Sequence, residues 1–282
     1  MSAAPRSRPQ TDSWIHALRV EIAENPLWYH TLELAPDVVT PGWFDLRGIA
    51  DRLPWPDLRG KRCLDIGTYD GFYAFEMEKR GAAEVIATDL SDNSQWDWPF
   101  DARARGTEFL DQVAGPEKGL GFRIAKRALG SVVERRELSV YDLSPAAVGQ
   151  FDFVVCGALL LHLRDPLRAL DAVHSICTGE FMSVEQLDLP LSVRIRRTPV
   201  LRLDGSHHHG QWFIPNLAGH RRMLFSAGFD IDQTLRPLSV DYGAGHPERP
   251  AGARKIRERL LTRIVTGGSG FAYSTALCRP RG

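Results

Sequence analysis

Lys61-Arg62-Cys63-Leu64-Asp65-Ile66-Gly67-Thr68-Tyr69-Asp70-Gly71-Phe72-Tyr73-Ala74-Phe75-Glu76 passes from a short apolar stretch through a glycine-bearing turn into a helical pattern. Arg62–Ile66 reads as a strand, and a helix opens near Phe72. Gly67 and Gly71 let a ligand approach the backbone closely, while the first turn of the helix offers unpaired N–H groups to an acceptor. A second strand, Glu84–Thr88, follows and ends in Asp89, about 18 residues beyond the turn. A carboxylate there can accept hydrogen bonds from two ribose hydroxyls, as in dinucleotide sites. The plainer alternative makes Asp65 and Asp89 strand-end caps. A glycine turn alone is common, and it is the whole succession of strand, D-x-G turn, helix, strand and terminal Asp that points to a nucleotide-type ligand.

Working outward, further strands are predicted at Val133–Val140, Phe151–Cys156, Glu180–Gln186, Phe229–Leu235 and Phe271–Cys278. Helices are predicted at Phe72–Arg80, as a pair within 99–130, and at Pro166–Cys177 and Leu217–Ala227. Seven strands with helical crossovers imply an α/β fold, a doubly wound and mostly parallel sheet with right-handed connections. Residues 1–12 read as a disordered tail. Ser13 reads as the N-cap of a leading helix carried by Trp14, Ile15, Leu18 and Ile22. The rest of 13–60 is Pro-punctuated and wraps over the core as an extension, leaving 61–282 as the main domain. Two stretches, near 189–216 and 238–268, break the alternation and read as insertions, the second carrying a basic helix from Ala253 to Val265.

The chain has 282 residues, 43% apolar and 25% charged, an ordinary globular composition that excludes disordered, collagen-like and coiled-coil proteins. Its formal net charge is zero, yet residues 1–190 hold 20 basic and 29 acidic side chains and residues 191–282 hold 15 and 6. Neutrality is therefore a cancellation between an acidic front and a basic back, and an anionic acceptor or partner is expected where it meets residues 191–265. The four widely spaced cysteines form no C-x-x-C pair, so neither a zinc cluster nor a disulfide framework is indicated and a reducing cytoplasm is the expected compartment. The first ten residues carry no signal-peptide pattern, and the longest apolar run, Val154 to Leu161, is too short to span a bilayer.

On the residues 61–76 and 84–89 the chain resembles the class I S-adenosylmethionine-dependent methyltransferases, from about residue 60 to residue 278. Asp65, Gly67 and Gly71 match that family's D-x-G-x-G-x-G turn, and Asp89 matches its acidic residue at the end of the second strand. The resemblance gives Asp142 the adenine contact and counts Leu90, Leu143 and Gly157 among the cofactor-binding residues. Tyr69 departs from the family, which usually has glycine there; it either covers the methionine part of the cofactor or reshapes the turn. The exit Gly157-Ala158-Leu159-Leu160-Leu161-His162-Leu163-Arg164-Asp165-Pro166 and the run Phe213-Ile214-Pro215-Asn216 resemble the branch that contains tRNA wobble-uridine carboxymethyltransferases and related small-molecule methyltransferases. The resemblance also implies a Rossmann-like sheet with its last strand antiparallel. That branch holds a carboxylated cofactor with a lysine before the domain and a tyrosine ahead of the exit histidine. Here Leu161 stands at the tyrosine position and residues 25–60 contain no lysine, which favours ordinary S-adenosylmethionine, with S-adenosylhomocysteine as its product.

Methyl transfer asks mainly for proximity and alignment, and for a base if the acceptor is a hydroxyl. His162, at the carboxyl edge of the sheet, is the first candidate for that base, with pocket-lining and purely structural roles as alternatives. On the acceptor side Trp28, His30, His208 and Trp212 are candidates, with Trp28-Tyr29-His30 read as either a lid or an aromatic plug. Adjacent histidines at 207–209 cannot all point inward, so no metal is expected. The helix from Ala253 is expected to dock on the core through Ile256, Leu260, Leu261 and Ile264, leaving a basic outer face. The expected reaction is methyl transfer from S-adenosylmethionine to oxygen or nitrogen of a small molecule. A tRNA wobble-uridine modifier, or a non-catalytic cofactor-binding protein, is the alternative. Expected partners are the small-molecule acceptor, RNA less favoured, no membrane, and a second copy of the chain as one occupant of the basic surface.

Overall fold

The computed structural model describes residues 11–115, 118–206, 210–247 and 253–282. The principal strands are β1 (Arg62–Ile66), β2 (Glu84–Asp89), β3 (Glu134–Glu137), β4 (Phe151–Gly157), β5 (Cys177–Gln186), β6 (Phe229–Thr234), β7 (Leu238–Tyr242) and β8 (Phe271–Pro280). The principal helices are α1 (Asp12–Glu24), α2 (Phe72–Lys79), α3 (Leu120–Leu129), α4 (Pro166–Ile176), α5 (Leu217–Ser226) and α6 (Ala253–Thr266).

One sheet runs in the order β7, β8, β5, β4, β1, β2, β3, with β6 on the far half of the β7 edge of β8 and a short strand, Phe44–Asp45, outside β7. The pairs among β1 to β5 are parallel, whereas β8 is antiparallel to β5, β6 and β7. Strand period two sends neighbouring residues to opposite faces. Along β4, Phe153 and Val155 therefore join one core cluster with Trp28, Phe72 and Phe122, while Val154 and Cys156 join the other with Leu170, Val173 and Leu224. A sheet buried on both faces explains the near-continuous apolar reading of its strands. Chain order leaves β1 in one direction toward β3 and in the other from β4 toward β5. The crevice outside the carboxyl ends of β1 and β4 is thus the topological switch point, where open α/β sheets bind ligands.

Several expectations change. Thr11, not Ser13, caps α1, because its side chain accepts the Trp14 N–H at 3.3 Å. Residues 238–268 are not wholly an insertion, since β7 extends the sheet and pairs through Asp241 and Tyr242 with Phe44–Asp45. The stretch 99–130 holds three helices, Phe100–Ala104, Thr107–Ala114 and α3, rather than two. β3 is only four residues long, and Val140–Asp142 forms a 3-10 turn instead of continuing it. The insertion at 189–216 is a short helix, Leu189–Arg194, followed by the hairpin Leu201–Ser206 and Gln211–Pro215.

The 13–60 extension is tied to the sheet domain at α3. An added Cβ at Gly121 would lie 2.4 Å from Asp70 Oδ1 and 3.1 Å from the Trp28 ring. Gly121→Ala is therefore expected to destabilise the fold by about 1–3 kcal/mol, as overpacking does. A urea midpoint equal to the parent's would show that this close approach carries no load.

Candidate active site

The turn after β1 is braced from within. Asp65 is buried, and its Oδ2 accepts the Thr68 hydroxyl at 2.7 Å and the Ala74 N–H at 3.1 Å, the latter from the first turn of α2. Its Oδ1 is buried without a partner. Burial pushes the Asp65 carboxyl up to about 7, opposed by Thr68 and Ala74 and aided by the charge of Asp89. Gly67 and Gly71 both have left-handed φ, 72° and 94°. At Gly71 a Cβ would also meet the Phe75 ring at 2.5 Å, so glycine is required there on two counts.

Tyr69, the departure from the family turn, also sits at left-handed φ, 48°. That conformation strains a bulky residue by about 1–3 kcal/mol. It is held by three contacts. The Tyr69 N–H donates to Asp89 Oδ2 at 2.6 Å, its hydroxyl donates to the Ala114 carbonyl at 2.7 Å, and its ring stacks on Tyr29 with centroids 4.9 Å apart. Tyr69 thus keeps the backbone shape a glycine would adopt and adds an aromatic wall to the crevice.

Asp89 ends β2, and its other oxygen accepts the Leu90 N–H at 2.7 Å. Burial raises its pKa, while the N–H groups of Tyr69 and Leu90 and the cations Arg135 and Lys118 hold it down. Asp142 is exposed at the end of the 3-10 turn that follows β3, five residues beyond the strand, and Leu143 beside it is buried. Gly157 ends β4, where a Cβ would lie 2.3 Å from the Tyr73 ring.

The residues offered for the acceptor fare differently. Trp28 is 2% exposed and its Nε1 donates to the Ile22 carbonyl at 3.0 Å, so it is a core plug and not a lid. His30 is likewise buried, and burial pushes its pKa down to about 3, which keeps the ring neutral. Trp212 is half-buried; its indole N–H donates to the Asp97 carbonyl and the Arg164 guanidinium lies 5.6 Å from its ring. His208 lies outside the described residues. His162 is half-buried with Nδ1 3.0 Å from the Gly210 carbonyl. A carbonyl partner places the proton on Nδ1 and makes Nε2 the basic nitrogen. Asp165, on the same exit loop, caps α4 by accepting the Arg168 N–H at 3.1 Å.

Four groups that sequence reasoning passed over complete the crevice. Asp70 is buried and its Oδ2 accepts the N–H groups of Tyr29 at 2.6 Å and His30 at 2.9 Å, fastening the extension to the turn. Lys118 is buried between the Tyr69 and Trp96 rings, 5.7 and 5.2 Å from their centroids, and donates to the carbonyls of Ala114 and Gly115. Burial brings its pKa down to about 8 against the pull of Asp89, Asp111 and Asp70. Glu185, on β5, accepts the N–H groups of Leu159 at 3.2 Å and Leu160 at 3.1 Å through Oε1, while its Oε2 is buried without a partner. Burial pushes it up to about 8. Tyr273, on β8 beside it, is buried. The readable signals were a lysine in a chain with 30 arginines and 5 lysines, and an acid inside the apolar strand Phe181-Met182-Ser183-Val184-Glu185.

Two left-handed glycines, a braced acid below them and a second acid at the next strand end form a cradle at the switch point, an arrangement suited to a nucleotide-type ligand. A family model described as a methyltransferase domain matches residues 45–234, two thirds of the chain. The chain belongs to the class I S-adenosylmethionine-dependent methyltransferases.

The methyltransferase is 33% identical over 189 residues to the ubiquinone biosynthesis O-methyltransferase of Neisseria meningitidis serogroup C, covering 63% of this chain and 67% of that protein. It is 31% identical over 122 residues to the tRNA U34 carboxymethyltransferase of Campylobacter hominis, covering 43% of this chain but only 34% of that protein. Among solved structures, the N-terminal domain of EvdMO1 in the presence of S-adenosylhomocysteine and D-fucose aligns with a TM-score of 0.54 at 15% identity, covering 97% of this chain and 100% of that one. Likenesses at that identity show the shared fold.

The cradle fits S-adenosylmethionine, its cofactor. The orphaned Asp65 Oδ1 calls for a hydrogen-bond donor at the base of the turn, the Tyr29 and Tyr69 faces suit a sulfonium by cation–π attraction, and exposed Asp142 is available in the 3-10 turn after β3. No helix of the described residues is long and apolar enough to cross a membrane.

Proposed function

We propose that this methyltransferase moves the methyl group of S-adenosylmethionine to an oxygen or nitrogen of a small molecule. The observation that carries this reading is the enclosure of the carboxyl edge. Tyr73, Glu185 and Tyr273 are buried close to one another, Tyr73 packs against the half-buried Gly157, and the Tyr29 N–H is fastened to the turn by Asp70. A corner so covered suits a small acceptor entering beneath residues 28–46 and does not suit a folded polynucleotide. The similarity to an enzyme named as an O-methyltransferase, over two thirds of that enzyme, supports the same acceptor class. The tRNA reading draws on relatives matched over a third to a half of their length, and the tyrosine of that branch is here Leu161, buried in the core.

In this reading Asp89 accepts the ribose hydroxyls beside Leu90, Asp142 and Leu143 meet the adenine, and Gly67, Tyr69, Gly71 and Gly157 shape the walls. When bound, the cofactor supplies a methyl group made electrophilic by its sulfonium. The chain aligns the acceptor and receives its proton. Two side chains are candidates for that proton. His162 presents Nε2 as its basic nitrogen, and Glu185 has an oxygen without a partner. We assign the base to His162, because imidazole is the side chain best matched to proton transfer near neutral pH. His162→Ala is expected to cut turnover by about 100-fold, a typical size for a general base, with S-adenosylhomocysteine affinity nearly intact. Unchanged turnover would move the assignment away from His162.

The acceptor class is tested by incubating the enzyme with methyl-labelled S-adenosylmethionine and a cell extract separated into RNA and small-molecule fractions. Label is expected in the small molecules. Label confined to RNA would overturn this reading in favour of the tRNA one.

A further inference from the structure

The helix α6 carries two apolar stripes, and the core takes only one. Leu261 and Val265 are partly buried against Leu187, Leu189 and Ala272, and Thr262 between them is buried. Ile256, Leu260 and Ile264, which the sequence reading docked on the core with Leu261, stand 63%, 59% and 73% exposed. At about 100° per residue these three form a single outward stripe. Arg257 and Arg263, both exposed, fall one on each side of it, about 60° from its centre, and Glu258 falls on the opposite side of the helix.

The surface extends from α6 onto the short helix Leu189–Arg194, which packs beside it and at whose end Val193 and Ile195 are exposed; Leu201 and Leu203 are exposed farther along the chain. Exposed arginines at 194, 196 and 197 alternate with them. Clustered aliphatic exposure on this scale marks an interaction surface, since monomers normally scatter such residues singly.

The interleaving of aliphatic and cationic side chains selects the occupant. RNA would neutralise the arginines but leave the aliphatic stripe without burial. A second copy seated stripe to stripe would bury Leu260 but gather Arg257 and Arg263 of both chains around it with no acid on the stripe to oppose them. An anionic bilayer surface satisfies both sets, because the aliphatic side chains enter the headgroup boundary while guanidinium groups remain with the anionic headgroups. We infer that α6, with the adjoining end of the short helix around 193–195, forms a peripheral docking face for anionic lipid membranes. Leu187 follows the carboxyl end of β5 and Ala272 lies near the start of antiparallel β8, so α6 rests on the same edge of the sheet as the cofactor crevice. The membrane contact inferred here is one of lying on a surface rather than spanning, and it departs from the expectation of no membrane partner drawn from the sequence.

The test is flotation of the full chain with vesicles of phosphatidylcholine alone or mixed with phosphatidylglycerol. Binding is expected to the mixed vesicles, to weaken as salt is raised, and to be slight with phosphatidylcholine alone. The triple variant Ile256→Asp, Leu260→Asp, Ile264→Asp changes exposed positions only and is expected to bind S-adenosylhomocysteine normally, which verifies its fold. Its affinity for mixed vesicles should fall by about 100-fold or more, through loss of apolar burial and added repulsion from the lipid charge. Arg257→Glu with Arg263→Glu should reduce binding in the same sense. Absence of vesicle binding, or equal binding by the triple variant, would overturn the inference. So would a dimer of the parent that the triple variant loses, or RNA binding through the same face without vesicle binding.

Discussion

Asp89→Ala is expected to weaken S-adenosylhomocysteine binding by on the order of 100-fold or more. The proposed ribose contact is a pair of charge-assisted hydrogen bonds, each worth about 1.5–3 kcal/mol, and alanine removes both. The substitution also releases the N–H groups of Tyr69 and Leu90 from the carboxylate. Two readouts separate these effects. The melting temperature without ligand reports the turn, whereas the increment on adding ligand reports the ribose contact. Ligand at ~100 times its Kd adds about 2.7 kcal/mol of stability to the parent. The variant at the same ligand concentration should show little of that increment. Asp89→Asn, which keeps one acceptor oxygen, should fall between the two. An affinity equal to the parent's would sink the ribose assignment and return Asp89 to a strand-end cap.

The parts of this architecture that could be read from sequence are those whose signal is local. β1 spans Arg62–Ile66 as expected, and β2, β4 and α2 agree to within a residue, because buried parallel strands are short unbroken apolar runs closed by turn residues. The turn was legible for the same reason: its glycines are demanded by φ, whatever packs around them. Edge pieces were not. β7 is five residues of mixed polarity, and Phe44–Asp45 is held by pairing partners some two hundred residues away, which no periodicity records.

Register on α6 failed for a different reason. Ile256, Leu260 and Ile264 repeat every four residues, as do Leu261 and Val265, so periodicity announces two stripes without saying which one meets Leu187 and Ala272. Trp28 and Tyr29 show the same limit over a single step of chain. Both are aromatic and adjacent, yet the indole sits in the core and the phenol ring stacks on Tyr69 in the crevice. Asp70 was in plain view within the turn, but its task is to bind backbone N–H groups some forty residues upstream, a tertiary fact.

That task makes Asp70→Ala the substitution with the largest expected effect on stability. Asp70 Oδ2 is the hydrogen-bond partner given to both the Tyr29 and His30 N–H groups by a side chain of the glycine turn, and alanine strands two donors in a covered site. Each unsatisfied donor costs about 1–3 kcal/mol. A total near ~3 kcal/mol corresponds to a fall in melting temperature of roughly 6–12 °C for a chain of this size. Tyr29 would also lose its position against Tyr69, so cofactor affinity should drop with stability. Asp70→Asn separates hydrogen bonding from charge, since its amide oxygen can still accept both N–H groups. Burial pushes the Asp70 carboxyl up to about 7, against the N–H groups of His30 and Tyr29. A carboxyl raised above its unfolded value binds more protons in the native state. Its contribution is therefore complete below about pH 4 and is lost as pH rises through 7, with a slope of up to ~1.4 kcal/mol per pH unit. The Asn variant should keep most of the parent's stability at pH 7 and lose stability less steeply between about pH 4 and 7. Equal melting temperatures for the parent and Asp70→Ala would show that the extension is anchored elsewhere, and an unaltered pH slope in Asp70→Asn would show that this carboxyl does not titrate in that interval.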